Sequence, residues 1–205
     1  VERAFWSCRI WRRSKTSNVG NQRRIKPPYK GGLRRLEDAR YEGISYVHWT
    51  MTVQDKATGW LNAAHHGALR RVMFHALARE CLCCPAYCVM PDHGHFLFVG
   101  HDTKSKQRSA VSWMRREWNA LLSPECLQHQ PYDEVLDEAD RERDAFANVA
   151  GYILRNPLRA GLVDKWQEWS FSGALFPGYP KLDPRKHNFW TDFWKAHHKH
   201  LRVGE

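Results

Sequence analysis

Regular alternation of apolar and polar residues marks the first patterned segment of the chain, residues 44–53. One face of this segment collects Val47, Trp49, Met51 and Val53, and the other collects Tyr46, His48, Thr50 and Thr52. Successive side chains of a β-strand point to opposite faces of a sheet, so this period of two predicts a strand with one buried face.

Apolar residues at helical spacing predict three helices. The first covers residues 63–79, and the second covers residues 106–122, with a stripe formed by Ala110, Met114, Trp118 and Leu121. The third is expected from about residue 141 to 155, because Pro157 disfavours a helix that continues past Asn156. Gly161 is expected to cap the short turn that follows.

Two further strands are predicted at residues 86–90 and 93–99, joined by a tight turn at Pro91 and Asp92. The acidic stretch 133–144 is interpreted as a solvated helix face, and the aromatic tail beyond Pro177 as a terminal helix that packs back on the domain. The resulting order, β-α-β-β-α-α, predicts an α+β fold with helices packed on a ferredoxin-like, RRM-like antiparallel sheet.

Positive charge is concentrated near the N-terminus. Residues 1–40 contain 12 Lys and Arg against 3 Asp and Glu, so they carry most of the net charge of +10. This basic N-terminal arm favours a polyanionic partner, although a basic tail can also serve solubility alone. The paired arginines of the arm are the candidate contacts for such a polyanion: Arg12, Arg13, Arg23, Arg24, Arg34 and Arg35.

Membrane and export signals are not evident in the sequence. No run of about 18 apolar residues occurs, so we expect no membrane partner and a cytoplasmic, nucleoid-associated protein. The six cysteines are then expected to be reduced. The group around Cys81, Cys83, Cys84 and Cys88 lacks a second ligand pair at convincing finger spacing, which favours buried thiols over a zinc site.

Candidate chemistry lies in two separated segments. His93 and His95 stand two positions apart in a predicted strand, so both imidazoles project from one face, about 6–7 Å apart along the backbone. Tyr152 and Asn156 are four residues apart and can share a helix face. Two imidazoles and an amide oxygen can hold a divalent cation, Mg²⁺ or Mn²⁺, beside a tyrosine that attacks phosphorus.

Residues 90–99, Met-Pro-Asp-His-Gly-His-Phe-Leu-Phe-Val, resemble the HUH motif of single-tyrosine transposases, in which U is a hydrophobic residue. Residues 152–163 resemble the nucleophile helix of the branch associated with repetitive extragenic palindromes (REP). Further matches at residues 132–136 and 169–172 extend the resemblance over residues 44–175. The chain is thus divided into a basic arm (1–40), a transposase domain of the HUH endonuclease type (41–176) and an aromatic, basic C-terminal extension (177–205).

The resemblance implies a specific activity. His93 and His95 would bind the metal, Asn156 would complete its ligand set, and Tyr152 would be the nucleophile. The substrate would be single-stranded DNA carrying palindromic hairpins, cleaved to a 5′-phosphotyrosine and a free 3′-hydroxyl and then rejoined. Arg155 and Arg159 are expected to hold DNA near this site. The protein would act as a monomer or a homodimer.

One departure from the family pattern concerns Gly94, which stands where a bulky residue is usual. Glycine loosens a strand and removes a packing anchor, so the ligand geometry is expected to be less firmly held. This favours, as an alternative, a domesticated protein that binds hairpin DNA without cleaving it. A third alternative is an RNA-binding module, since aromatic residues on such a sheet can stack on RNA bases.

Each candidate residue also has a purely structural interpretation. The histidines can be ordinary strand residues with local hydrogen bonds, and Tyr152 can be a core aromatic of an amphipathic helix. Asn156 can be the N-cap of a helix that has Pro157 at its first position. The order in which all the motifs occur favours the catalytic interpretation.

Overall fold

A computed structural model describes residues 36–203 of the chain. Its strands are β1 (Tyr46–Thr52), β2 (Leu82–Val89), β3 (His93–Gly100), β4 (Tyr132–Val135) and β5 (Ser172–Leu175). Its α-helices are α1 (Ala63–Arg79), α2 (Gln107–Leu122), α3 (Glu138–Arg141), α4 (Arg143–Leu154), α5 (Asn156–Arg159) and α6 (Phe189–Val203). The paired arginines of the basic arm lie outside the described residues.

The five strands form one antiparallel sheet in the order β4-β1-β3-β2-β5. The first six elements, β1-α1-β2-β3-α2-β4, follow the ferredoxin-like pattern, and β5 extends the sheet beside β2. The predicted α+β class and antiparallel sheet are therefore confirmed. Strand β3 is central, with β1 on one side and β2 on the other.

Two sequence predictions about the elements are wrong in detail, and one strand was missed. Strand β2 begins at Leu82, four residues before the predicted start. The acidic stretch begins with β4 and not with a helix, because pairing with β1 outweighs the low strand propensity of Asp133 and Glu134. Charged side chains are tolerated there since β4 is an edge strand. Strand β5 was not predicted.

Helix α2 matches its predicted range to within one residue, but its buried stripe ends differently. Leu122 is 3% exposed, whereas Leu121 is 37% exposed. Buried Ala110, Met114, Trp118 and Leu122 are therefore spaced by four throughout. Gln107 at the start of α2 is buried and accepts a hydrogen bond from Trp49 Nε1 at 3.0 Å, which ties the helix to β1.

The sheet separates two apolar layers. Phe96 and Phe98 of β3 point into the layer formed with α1 and α2, whereas Leu97 and Val99 point into the layer formed with α4 and α6. Because side chains alternate along a strand, His93 and His95 share the face of Leu97 and Val99. The strand pattern therefore directs both histidines toward the side of the sheet that α4 covers.

The cysteines of β2 belong to the interior. Cys83, Cys84 and Cys88 are buried, and burial raises the pKa of the Cys88 thiol to about 12. Such thiols stay protonated and behave as small apolar groups, as the buried-thiol interpretation predicts. Within residues 36–203, no helix is both long enough and apolar enough to cross a membrane.

Helix α6 confirms the predicted terminal helix and packs on the second layer through aromatic side chains. Phe193 stacks on Phe146 of α4, and the His197 ring lies with Nε2 3.4 Å from the Gly100 carbonyl oxygen. The rings of His101 and His200 lie 4.7 Å apart between their centroids. Burial, reinforced by neighbouring histidines, lowers the pKa of His101 and of His197 to about 4.

These histidines predict that stability is lost in acid. A folded-state pKa near 4, below an unfolded value near 6.5, favours the folded state above pH 6.5, and this contribution disappears as the pH falls toward 4. Asp102, which raises the pKa of His101, opposes the effect only in part. We expect His197→Gln to reduce the loss of melting temperature between about pH 7 and about pH 5. Exposed His75→Gln on α1 is the matched control; an equal loss in His197→Gln and wild type would contradict the prediction.

Candidate active site

The two histidines of β3 meet edge to face. Their Nε2 atoms are 3.0 Å apart, and the ring planes are 89° from each other. His93 Nδ1 lies 2.6 Å from Asp92 Oδ1, so the carboxylate in the β2–β3 turn orients this ring. The hydrogen bond with His93 lowers the pKa of Asp92 despite its partial burial. His93 is partly exposed, whereas His95 is buried.

The other side of the His95 ring is held by β1. Thr50 Oγ1 and His48 Nε2 each lie 3.1 Å from His95 Nδ1. Burial lowers the pKa of His48 to about 4. The pKa of His95 lies well below its usual value because of burial first, then the nearby rings of His48 and His93 and the charge of Arg159. The imidazoles of His48 and His95 are therefore neutral near pH 7.

Tyr152 lies on α4 and is partly buried beside the second apolar layer. The guanidinium of Arg159, from α5, lies 4.5 Å from the centroid of the Tyr152 ring. The same guanidinium acts electrostatically on His95. Arg159 thus links the tyrosine to the histidine pair, and the two sequence motifs come together on one face of the sheet.

Asn156 lies at the junction of α4 and α5. Its Nδ2 donates to the carbonyl oxygens of Tyr152 at 3.2 Å and Ile153 at 3.1 Å. The side chain therefore caps the end of α4 and makes no side-chain cap of α5, which does not support the alternative interpretation of Asn156 as an N-cap. With the nitrogen so engaged, Oδ1 is the atom that can serve another partner.

The remaining arginine near this junction is turned back onto its own helix. Arg155 Nε donates to the Gly151 carbonyl oxygen at 3.0 Å, while the side chain stays exposed. After α5 the chain turns at Gly161, whose φ of 68° requires the left-handed conformation that glycine tolerates. Leu162 N–H bonds the Pro157 carbonyl oxygen at 2.9 Å, which confirms the predicted glycine cap.

Gly94 is closely packed. A Cβ atom built at this position would lie 2.7 Å from Phe96 Cζ and 3.1 Å from Trp118 Cη2. Aromatic rings of β3 and α2 therefore fill the space that a side chain between the histidines would occupy. Gly94 also pairs with Met51 of β1 and Val89 of β2. The packing anchor that glycine was expected to remove at this position is therefore supplied by the rings of Phe96 and Trp118.

The histidine pair fits a divalent cation. Two imidazole nitrogens that share one cation at about 2.0–2.1 Å lie about 3 Å apart when their bonds are near a right angle. This is the Nε2–Nε2 distance of His93 and His95. Within residues 36–203, no group of three or more His, Cys, Asp or Glu side chains could hold a metal ion. A third protein ligand would therefore be of another type, such as the Asn156 amide.

Sequence reasoning missed three groups of this site: Asp92, His48 and Thr50. Asp92 was assigned only to turn chemistry. His48 and Thr50 were placed correctly on the polar face of the first strand, but the sequence contains no signal for the strand register. The register pairs Thr50 directly with His95 and thereby brings both β1 side chains to its ring.

The geometry defines a class of protein: a ferredoxin-like antiparallel sheet with paired histidines on its central strand and a tyrosine on a helix packed against the same face. No protein-family model matches the chain. A curated protein of Haemophilus influenzae, named a REP-associated tyrosine transposase, is 26% identical over 98 residues. The match covers 42% of this chain and 56% of that protein, so it spans about half the length of the relative.

A solved structure described as a REP-associated tyrosine transposase bound to a REP hairpin has the same fold. It superposes with a TM-score of 0.58 at 17% identity, covering 69% of this chain and 81% of the other. The resemblance of this chain to the REP-associated tyrosine transposases, first indicated by its motifs, is therefore confirmed in sequence and in fold.

The packing around Gly94 predicts that restoring a bulky residue is harmful. We expect Gly94→Val to lower the free energy of unfolding by about 1–3 kcal/mol, because the new side chain would clash with Phe96 and Trp118. Valine favours strands, so the loss would measure the steric effect. Urea unfolding at neutral pH provides the measurement.

Gly67→Ala in α1 is the matched control, since its Cβ would meet only Arg71 at 3.9 Å. Alanine should raise the unfolding free energy there by about 0.5–1 kcal/mol. A Gly94→Val protein as stable as wild type would show that the aromatic rings can move aside.

Proposed function

We propose that the protein is a transposase-type nuclease that cuts and rejoins single-stranded DNA next to a hairpin, through a covalent phosphotyrosine. The observation that carries this proposal is the position of Arg159, whose guanidinium lies over the Tyr152 ring and acts on His95. The guanidinium of Arg159 is a positive group of the kind that binds phosphate, and it contacts the candidate nucleophile while acting on one histidine of the pair. If Tyr152 were only a core residue and the histidines were ordinary strand residues, no arginine shared between them would be required.

Tyr152 is the proposed nucleophile. Its phenolic oxygen would form a bond to phosphorus while the bond to the 3′ oxygen breaks, leaving a 5′-phosphotyrosine and a 3′-hydroxyl. The phenol loses its proton and the departing 3′ oxygen gains one. Because the new ester conserves the energy of the broken one, a 3′-hydroxyl can attack it in turn, which makes strand transfer the natural outcome.

His93, His95 and Asn156 are proposed to bind the cation, Mg²⁺ or Mn²⁺. Its chemistry when bound would be to polarise the phosphate oxygens and favour the charge that develops during attack. Asp92 keeps the His93 proton on Nδ1 and so leaves Nε2 free as a ligand atom. The bonds of Asn156 Nδ2 to the end of α4 hold its amide in place beside Tyr152.

DNA binding is proposed to involve Arg159 and Arg155 near the site, together with the paired arginines of the basic arm. Arg159 is exposed, so its guanidinium can contact phosphate while it stacks on Tyr152. Palindromic hairpin DNA is the proposed partner, in line with the REP hairpin in the solved relative. At the edge of the sheet, Tyr132 pairs with Thr50 and is 40% exposed, so it can stack on an unpaired base.

The non-cleaving alternative depended on Gly94 as a source of loose ligand geometry. The rings of Phe96 and Trp118 fill the space at Gly94, and both histidines make hydrogen bonds on Nδ1. This packing favours a competent site over a degenerate one. The RNA-binding alternative leaves the arrangement of Tyr152, Arg159 and His95 without a purpose.

A covalent-adduct assay tests the nucleophile. Labelled single-stranded DNA with hairpins from the source genome is incubated with protein and Mn²⁺, then run on a denaturing gel. We expect an adduct with wild type and none with Tyr152→Phe, which lacks the attacking oxygen but should retain hairpin affinity. Tyr179→Phe removes a hydroxyl elsewhere and should form the adduct normally. An adduct with Tyr152→Phe would exclude this residue, and tight binding without any adduct would support a DNA-binding protein.

Loss of a metal ligand should reduce cleavage without abolishing DNA binding. We expect His93→Ala to slow adduct formation by about 10²–10³-fold, because the electrostatic stabilisation of the phosphate is lost. A chelator should have the same effect on wild type, and added Mn²⁺ should reverse it. Exposed His75→Ala on α1 is the control. Unchanged cleavage in His93→Ala would exclude this residue as a ligand.

A further inference from the structure

His95 is the only one of the two histidines whose Nδ1 lies between two partners in the described structure. The antiparallel register pairs Thr50 directly with His95 and His48 with Leu97, two residues further along β3. Direct and diagonal neighbours on one face of a sheet are within reach of each other. Both Thr50 Oγ1 and His48 Nε2 consequently lie 3.1 Å from His95 Nδ1.

The proton positions around the pair are constrained. In a neutral His93 whose Nδ1–H is accepted by Asp92, Nε2 carries a lone pair. His95 Nε2 is 3.0 Å from that lone pair, and without a cation it must supply the proton between them. The Nδ1 of His95 then has a lone pair and must accept a hydrogen bond from Thr50 or His48.

If His93 and His95 held a cation through their Nε2 atoms, this arrangement would have to reverse. His95 Nε2 must then offer its own lone pair, so the ring proton moves to Nδ1 and the β1 partner must accept it. A hydroxyl and a neutral imidazole can each donate or accept, unlike the carboxylate that faces His93. The groups beside His95 are therefore of the kind that both states require.

We propose that Thr50 and His48 are positioning residues for His95 that allow its proton to move from Nε2 to Nδ1 when a cation binds. The inference rests on the proposed function, since it takes His93 and His95 as the cation ligands. Neither residue is itself a ligand to that cation, because both meet the nitrogen on the opposite side of the His95 ring. Asp92 performs the simpler task of holding one tautomer at His93.

Side-chain nitrogen NMR and Mg²⁺ affinity test the proposal in the full chain without DNA. Nitrogen–proton correlations through two bonds distinguish the Nε2–H from the Nδ1–H imidazole. We expect wild-type His95 to change from the first to the second form as Mg²⁺ is added. Thr50→Val removes the hydroxyl at nearly constant volume, and should weaken Mg²⁺ binding by about 10–100-fold.

Three variants separate positioning from a general structural role. Thr50→Ser restores a hydroxyl and should recover most of the affinity. Thr191→Val makes the same change at an exposed position of α6 and should leave affinity and tautomer as in wild type. Because His48 is buried, His48→Gln, which keeps both a donor and an acceptor, serves in place of a truncation. Thermal melting of each variant confirms that it folds.

The outcomes distinguish this inference from the proposed function. Equal Mg²⁺ affinity in wild type and Thr50→Val, or a His95 tautomer that ignores Mg²⁺, overturns the inference even if the phosphotyrosine forms. A tautomer change that depends on Thr50, in a protein that forms no adduct, supports the inference and overturns only the nuclease activity. A wild type that binds no Mg²⁺ overturns the cation site and this inference together.

Discussion

The register between β1 and β3 is the constraint on which the candidate site depends. It runs without interruption from Tyr46 opposite Val99 to Thr52 opposite His93. A shift of one residue would turn the polar face of β1 into the apolar layer under α1 and α2, and would remove Thr50 and His48 from His95. The same hydrogen bonds that stabilise the centre of the sheet therefore orient a proposed ligand.

Burial on both sides makes that register specific. Trp49 and Met51 of β1 lie in one apolar layer, while Tyr46 lies in the other, beside Phe146 of α4. Each layer must cover its own row of side chains, so α2 and α4 can dock only on opposite faces. Tyr152 then reaches the histidine face because α4 is the helix that covers it, and the polar groups of the site occupy the end of the sheet at the β2–β3 turn.

Polar groups inside this face are held in pairs. Asp92 accepts a hydrogen bond from His93, and Thr50 and His48 both contact the Nδ1 atom of His95. Asn156 donates to the carbonyl groups at the end of α4. Each contact satisfies a group that burial would otherwise leave costly, and each also fixes the direction of a functional atom. Gly94, between the two histidines, faces the opposite layer, where Phe96 and Trp118 fill the space beside it.

The sequence by itself determined the long helices, the strand around Trp49 and the two motifs, since these follow from local periodicity, turn chemistry and residue type. It did not determine β4 or β5, whose four-residue strands form only because neighbouring strands offer unpaired backbone groups. Nor did it determine which groups meet the histidines: Thr50 and Arg159 are far from His95 along the chain. Their approach is decided by strand register and helix docking, which depend on contacts between distant residues and leave no local pattern.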